Sequence, residues 1–106
     1  MSEKLAAILA ELRRHLEALY GPRLVHMVLY GSQARGDAEP GSDIDVLVVL
    51  QGPVDSYEEM KRTSQFVADL SLHYDEVISC VFISAERFRH EQSPLLMNMR
   101  REGVPV

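Results

Sequence analysis

Hydrophobic positions near the start of the chain recur at spacings of three and four, which is the period of an amphipathic helix. Ser2 precedes this segment as a candidate N-cap, and Gly21-Pro22 ends it. The pattern therefore predicts a helix over residues 3–19 with one apolar face. The apolar positions of that face are Leu5, Ile8, Leu9, Leu12, Leu16 and Leu19.

Three short apolar runs further along the chain predict β-strands. They cover residues 24–30, 43–50 and 77–83. The middle run is apolar on both faces beyond its first three residues, which is typical of a central strand covered on both sides. The pattern leaves open whether these strands pair in parallel or antiparallel.

A second long helix is predicted over residues 56–73, where Ser56 and Glu59 fit a capping box. The predicted buried face of this helix is marked by Met60, Val67 and Leu70. Ser84 can begin a short helix, and Ser93-Pro94 begins a last helix that runs to about residue 102.

Without the short helix, the predicted order is α-β-β-α-β-α, which favours an α+β (α/β layer) fold with a small sheet and flanking helices. A length of 106 residues is typical of one domain. Repeats and long linkers are absent from the pattern. We therefore expect a single domain over residues 1–106.

Composition narrows the possible functions. The net charge is −5, whereas a general nucleic-acid binder usually presents a basic surface, so broad DNA or RNA binding is disfavoured. The longest apolar runs fall far short of the roughly 18 residues that span a bilayer, which predicts no membrane association. Cys80 is the only cysteine and can form no internal disulfide. We expect a cytoplasmic protein.

The turn after the first predicted strand carries candidate phosphate-binding groups. Strand 24–30 ends at Gly31-Ser32, and residues 33–35 fit one helical turn. Glycine lets a ligand approach the backbone closely, and free N–H groups at a helix start bind phosphate oxygens. The Ser32 hydroxyl adds a donor. Gly31 and Ser32 are therefore candidate nucleotide-binding residues.

Two carboxylates begin the second predicted strand. Asp43 and Asp45 are two residues apart, so the period of a strand places both on the same face. Adjacent carboxylates repel each other unless a cation joins them, and Mg²⁺ with phosphate oxygens is a natural partner. Either aspartate alone fits a solvated polar turn. Together with Gly31-Ser32, the pair indicates metal-assisted nucleotidyl transfer, with both aspartates as catalytic metal ligands.

Residues 31–45 resemble the active-site signature of the polymerase-β-type nucleotidyltransferases, especially the minimal nucleotidyltransferases (MNT proteins). That signature is Gly-Ser, a short spacer and Asp-x-Asp, and here Gly31-Ser32 is followed by residues 33–42 and Asp43-Ile44-Asp45. Arg35-Gly36 also matches common forms of the signature. The resemblance implies that the Gly-Ser pair holds a nucleoside triphosphate and that the two aspartates ligate Mg²⁺.

The same family usually has a third carboxylate on a later strand, but the predicted strand 77–83 contains none. Ser79 is its only strongly polar residue and is a candidate for that position. Asp75 and Glu76 lie at the entry to the strand. Glu76 is the favoured third metal ligand because its longer side chain reaches further, and a solvated turn is the alternative for both residues. Without a third carboxylate, nucleotide binding remains possible while catalysis is weakened.

The sequence therefore predicts a Mg²⁺-dependent nucleotidyltransferase that moves a nucleotide, with AMP from ATP favoured, onto a hydroxyl group. Resemblance to MNT antitoxins further implies a toxin–antitoxin pair in which a HEPN-domain protein is the partner and acceptor. The alternative is a catalytically weakened nucleotide-binding or protein-interaction module, which the missing strand carboxylate favours.

Overall fold

The computed structural model describes all 106 residues and contains a mixed four-stranded sheet with helices on both faces. The predicted α+β class and the order of the main elements are confirmed. No helix is long and apolar enough to cross a membrane. The helices are α1 (Glu3–Tyr20), α2 (Ser32–Arg35), α3 (Ser56–Tyr74), α4 (Ala85–His90) and α5 (Pro94–Glu102), and the strands are β1 (Leu24–Tyr30), β2 (Ile44–Leu50), β3 (Ile78–Ser84) and β4 (Val104–Pro105).

The strand order β3-β2-β1-β4 places β2 inside the sheet. β1 pairs antiparallel with β2 and with β4, whereas β3 pairs parallel with β2. The parallel pair needs a long crossover, and α3 supplies it. In this register Asp45 of β2 lies opposite Tyr30 on β1 and opposite Ser79 on β3.

Two apolar clusters cover the two faces of the sheet. On one face, α1 and α3 pack over the sheet in a cluster that includes Leu12, Val46 and Phe82. On the other face, α5 contributes Leu96 to a smaller cluster that includes Leu47. The prediction that the second strand is apolar on both sides and central is therefore confirmed.

The start of α3 differs from the predicted capping box. Asp55 is the N-cap, and its side chain accepts a hydrogen bond from the Glu58 N–H at 3.2 Å. The Ser56 hydroxyl instead donates to the carbonyl oxygen of Phe82 at 2.7 Å. Ser56 therefore ties the first turn of α3 to β3.

The buried face of α3 also differs from the prediction. Met60 is 50% exposed, whereas Glu59 and Thr63 are buried. The Tyr20 hydroxyl at the end of α1 donates to Glu59 Oε1 at 2.6 Å, and Arg62 Nε lies 3.5 Å from the same oxygen. A buried carboxylate is tolerated when it is hydrogen-bonded and paired, so these partners turn Glu59 inward and leave Met60 at the surface.

The short strand β4 was not predicted, because two residues carry no periodic signal. Gly103 joins it to α5, and a Cβ at Gly103 would lie 2.4 Å from both the Met99 carbonyl oxygen and Val28 Cγ1. The absence of a side chain therefore lets the chain pass closely enough to pair with β1.

Candidate active site

Gly31 joins β1 to α2 and lies directly against Asp45. Its φ of 74° and ψ of −156° belong to a region that is essentially open only to glycine. A Cβ at this position would lie 2.8 Å from Asp45 Oδ2. The phosphate-binding turn predicted from the sequence therefore touches one of the predicted metal ligands, and the contact requires a glycine.

The single turn of α2 is bounded by two glycines. Gly31 is its N-cap, and Gly36 ends it in the left-handed region with a φ of 80°. The Gly36 N–H donates to the Ser32 carbonyl oxygen at 3.0 Å. The Ala34 and Arg35 N–H groups donate to the Gly31 carbonyl oxygen, whereas the first two N–H groups of the helix, those of Ser32 and Gln33, lack partners within it and are available to an anion. The predicted helical turn is confirmed and begins one residue earlier, at Ser32.

The loop between α2 and β2 is held by hydrogen bonds to Ser42. Gln33 Nε2 donates to the Ser42 carbonyl oxygen at 3.5 Å. The Glu39 N–H donates to Ser42 Oγ at 3.0 Å, and the Ser42 N–H donates to the Glu39 carbonyl oxygen at 3.0 Å. Ser42 therefore shapes the turn that delivers the next residue, Asp43, to the start of β2.

Asp43 directly precedes β2, and Asp45 is the second residue of that strand. The intervening Ile44 is 2% exposed and packs in the cluster under α1 and α3, so its two neighbours point to the opposite face. The Ile44 N–H donates to the Val77 carbonyl oxygen at 2.8 Å, which ties the start of β2 to the entry of β3. Asp43 is exposed, and Asp45 is half-buried.

The electrostatics of the pair suit a cation. Burial raises the pKa of Asp45, and the nearby Asp43 carboxylate raises it further. The pKa of Tyr30 is also raised, first by burial and then by the charge of Asp45. Each shift records an unfavourable negative charge at this point of the sheet. A divalent cation between the carboxylates would offset the repulsion between the charges of Asp43 and Asp45.

The structure does not bring a third carboxylate to the pair. Lys4 Nζ on α1 lies 2.9 Å from Glu76 Oε1, so Glu76 is engaged on the face covered by α1. Asp75 ends α3 in the left-handed region with a φ of 53°. No group of three or more His, Cys, Asp or Glu side chains is placed to hold a metal ion. Glu76 is thus paired with Lys4 rather than with the two aspartates, and Ser79 lies opposite Asp45 on β3.

Sequence reasoning missed Tyr30, which lies next to Asp45 across the β1–β2 pair. A signal was present, because Tyr30 is the last residue before the Gly-Ser turn. The antiparallel register was needed to recognise its position.

A family model described as a nucleotidyltransferase domain matches residues 9–100 of this chain. The chain belongs to the nucleotidyltransferase domain family. The match includes both the Gly-Ser turn and the aspartate pair, so the predicted family is confirmed. Among relatives of this nucleotidyltransferase is a Methanocaldococcus jannaschii protein named "Putative protein adenylyltransferase MJ0141". The two are 31% identical over 72 residues, which is 68% of this chain and 72% of that protein.

Solved structures share the fold of this nucleotidyltransferase domain. A structure described as a "putative minimal nucleotidyltransferase" superposes with a TM-score of 0.61 and 23% identity, covering 100% of this chain and 97% of that one. A structure described as "the toxin-antitoxin with AMP-PNP" superposes with a TM-score of 0.61 and 20% identity, covering 90% of this chain and 69% of that one. At these identities the likeness establishes the fold.

Proposed function

We propose that this nucleotidyltransferase transfers AMP from ATP to a hydroxyl group of a partner protein, with Mg²⁺ held by Asp43 and Asp45. The observation that carries the proposal is the contact between Gly31 and Asp45 Oδ2, where a Cβ would come within 2.8 Å of the carboxylate. This contact supports a site in which the Gly-Ser turn binds phosphate beside the two carboxylates. The relative named as a protein adenylyltransferase supports the choice of AMP as the transferred group.

In this proposal the Gly31-Ser32 turn holds the β- and γ-phosphates through backbone N–H groups and the serine hydroxyl. The α-phosphate then faces Asp43 and Asp45. The acceptor oxygen attacks the α-phosphorus, the bond from phosphorus to the bridging oxygen breaks, and pyrophosphate leaves. The hydroxyl proton passes to water, since no third carboxylate stands beside the pair to take it.

The residues present fit Mg²⁺. Asp43 and Asp45 supply two oxygen donors of like charge, and burial together with the neighbouring Asp43 carboxylate raises the pKa of Asp45. Mg²⁺ is commonly bound by one or two carboxylates, with waters and substrate phosphates completing its octahedral shell. When bound, the ion would offset phosphate charge and polarise the α-phosphate.

We further propose that the acceptor belongs to a HEPN-domain partner and that this chain is the antitoxin of such a pair. The toxin–antitoxin structure that shares the fold supports this proposal. The net charge of −5 does not suit a nucleic-acid acceptor, because phosphate backbones are bound by basic surfaces.

A second candidate function is a nucleotide-binding or protein-interaction module with weakened catalysis. The specific observation that favours it is the pairing of Ser79, rather than a carboxylate, with Asp45 on β3. A site with two carboxylates retains the donors for a nucleotide and its metal, but it lacks a group to activate the acceptor hydroxyl.

The test is the intact mass of a partner protein after incubation with this chain, ATP and Mg²⁺. A HEPN-domain protein serves as the partner in this assay. The proposal expects a mass increase of one AMP that requires Mg²⁺ and disappears with Asp43→Asn. Mg²⁺-dependent ATP binding with no change in the partner's mass would instead support the binding module.

A further inference from the structure

A cavity of about 180 Å³ lies between α2 and α5, directly beside Gly31. Tyr30 and Leu95 contribute apolar surface to it, and Asn98 and Glu102 contribute polar groups. Leu95 is apolar yet 60% exposed, so its side chain does not belong to the protein's own core. The volume is below the roughly 300–1,000 Å³ of sites that enclose a drug-sized ligand. The cavity therefore suits one ring system rather than a whole nucleotide.

The cavity adjoins the proposed phosphate site. Gly31 borders the cavity and also contacts Asp45. Tyr30 borders the cavity and lies opposite Asp45 across the β1–β2 pair. A nucleotide whose triphosphate rests on the Gly-Ser turn can thus place its base between α2 and α5.

We propose that this cavity is the base subsite for the nucleotide, where a purine ring packs between Tyr30 and Leu95. The proposal rests on the proposed function, because it assumes that the triphosphate lies at Gly31-Ser32. Aromatic and aliphatic side chains stabilise a flat ring by burying its apolar faces.

The polar rim of the cavity matches the edge of a purine. Arg101 donates to Asn98 Oδ1 at 2.7 Å, so the amide N–H groups of Asn98, which borders the cavity, remain free to donate. The Glu102 carboxylate is an acceptor, and Arg35 Nη1 on α2 lies 4.0 Å from it across the cleft. Adenine offers a ring-nitrogen acceptor beside an amino donor, which complements the Asn98 donor and the Glu102 acceptor.

The test compares the affinities of ATP and inorganic tripolyphosphate, measured by calorimetry with Mg²⁺. Wild-type protein should bind ATP more tightly than tripolyphosphate. Leu95→Ala and Asn98→Ala should each weaken ATP binding, by about two- to tenfold for one neutral hydrogen bond at Asn98, and leave tripolyphosphate binding unchanged. The matched control is Met97→Ala, because Met97 is 50% exposed on the same helix and does not line the cavity.

The other outcomes overturn the proposal in distinguishable ways. Equal affinities for ATP and tripolyphosphate, both dependent on Mg²⁺, would refute the base subsite while the phosphate site stands. Losses in the Leu95 and Asn98 variants that match those in the Met97 variant would also refute it. Binding of neither compound would overturn the proposed function together with the subsite. GTP bound as tightly as ATP would keep the purine subsite and refute adenine selection at its rim, whereas CTP bound as tightly as ATP would refute a two-ring site.

Discussion

Replacing Gly31 with alanine should damage both the fold and the nucleotide site, because two independent costs meet at this residue. The first cost is conformational, since a residue held in a glycine-only backbone region costs about 1–3 kcal/mol. The second is steric, because the new Cβ would lie 2.8 Å from Asp45 Oδ2. For a domain of this size, each 1 kcal/mol lowers the melting temperature by about 4–8 °C. Thermal unfolding of Gly31→Ala should therefore show a loss of at least about 4 °C.

The matched control is Gly52→Ala. Gly52 also has a positive φ, of 88°, but a Cβ there would have no atom within 4 Å. This variant should carry the conformational cost alone and should bind ATP as the wild type does. Gly31→Ala should lose more stability than Gly52→Ala and should bind ATP and tripolyphosphate more weakly.

A double-mutant cycle with Asp45→Ala separates the steric cost from the conformational cost. Removing the carboxylate removes the clash, so Gly31→Ala should cost less free energy of unfolding in the Asp45→Ala background. Coupling between contacting residues is typically about 0.5–3 kcal/mol. Strictly additive free energies of unfolding, or wild-type ATP affinity in Gly31→Ala, would refute the reasoning.

The remaining predictions concern the charges and donors of the site. Asp45→Asn should abolish Mg²⁺-dependent transfer and should raise the melting temperature of the metal-free protein at neutral pH; retained activity would contradict the metal site. The direction of this stability change follows from the raised pKa of Asp45. The folded chain holds the Asp45 proton more tightly than the unfolded chain, so the stabilising contribution of that proton is complete below about pH 4 and is lost as pH rises through the raised pKa. The higher melting temperature of Asp45→Asn relative to the wild type should therefore vanish in acid. Ser32→Ala should weaken ATP binding by about 1.5–3 kcal/mol, the contribution of a hydrogen bond to a charged group, with no loss of melting temperature; unchanged affinity in calorimetry would make Ser32 a simple turn residue. Ser79→Asp should tighten Mg²⁺ binding by adding a carboxylate beside Asp45, while unaltered metal affinity would show that position 79 does not face the pair. Glu76→Gln should leave the transfer rate near that of the wild type, because Glu76 pairs with Lys4 on α1; a large loss of rate would return Glu76 to the site.

The local part of the site could be predicted from the sequence. Asp43 and Asp45 share a face because the period of a strand is two, and that geometry needs no knowledge of neighbouring strands. The Gly-Ser turn followed from the end of an apolar run and the start of a helical one. Both features depend only on residues close together in the chain.

The non-local part of the site could not be predicted in the same way. The contact of Gly31 with Asp45 depends on the antiparallel pairing of β1 with β2, and the placement of Ser79 depends on the parallel pairing of β2 with β3. The choice between Asp75 and Glu76 as a third ligand also depends on contacts that are distant in sequence. The length of its side chain favoured Glu76, whereas the structure pairs Glu76 with Lys4 of α1.

The same limit explains the buried face of α3. Helical periodicity favoured Met60 as a core residue, yet Glu59 is buried because Tyr20, distant in sequence, donates a hydrogen bond to it. A hydrophobic pattern does not report a polar partner on another helix. Such pairs become visible only when α1 and α3 are brought together.

The most direct test of the central claim is the transfer of label from ATP carrying radioactive phosphorus in its α-phosphate. The reaction contains this chain, Mg²⁺ and a HEPN-domain partner protein, and ATP labelled in the γ-phosphate serves as the control. We expect the α-label, and not the γ-label, to become covalently attached to the partner, with none attached when Asp45→Asn replaces the wild type. Attachment at the wild-type rate in that variant, or no attachment to the partner by a wild-type chain that binds ATP, would contradict the account.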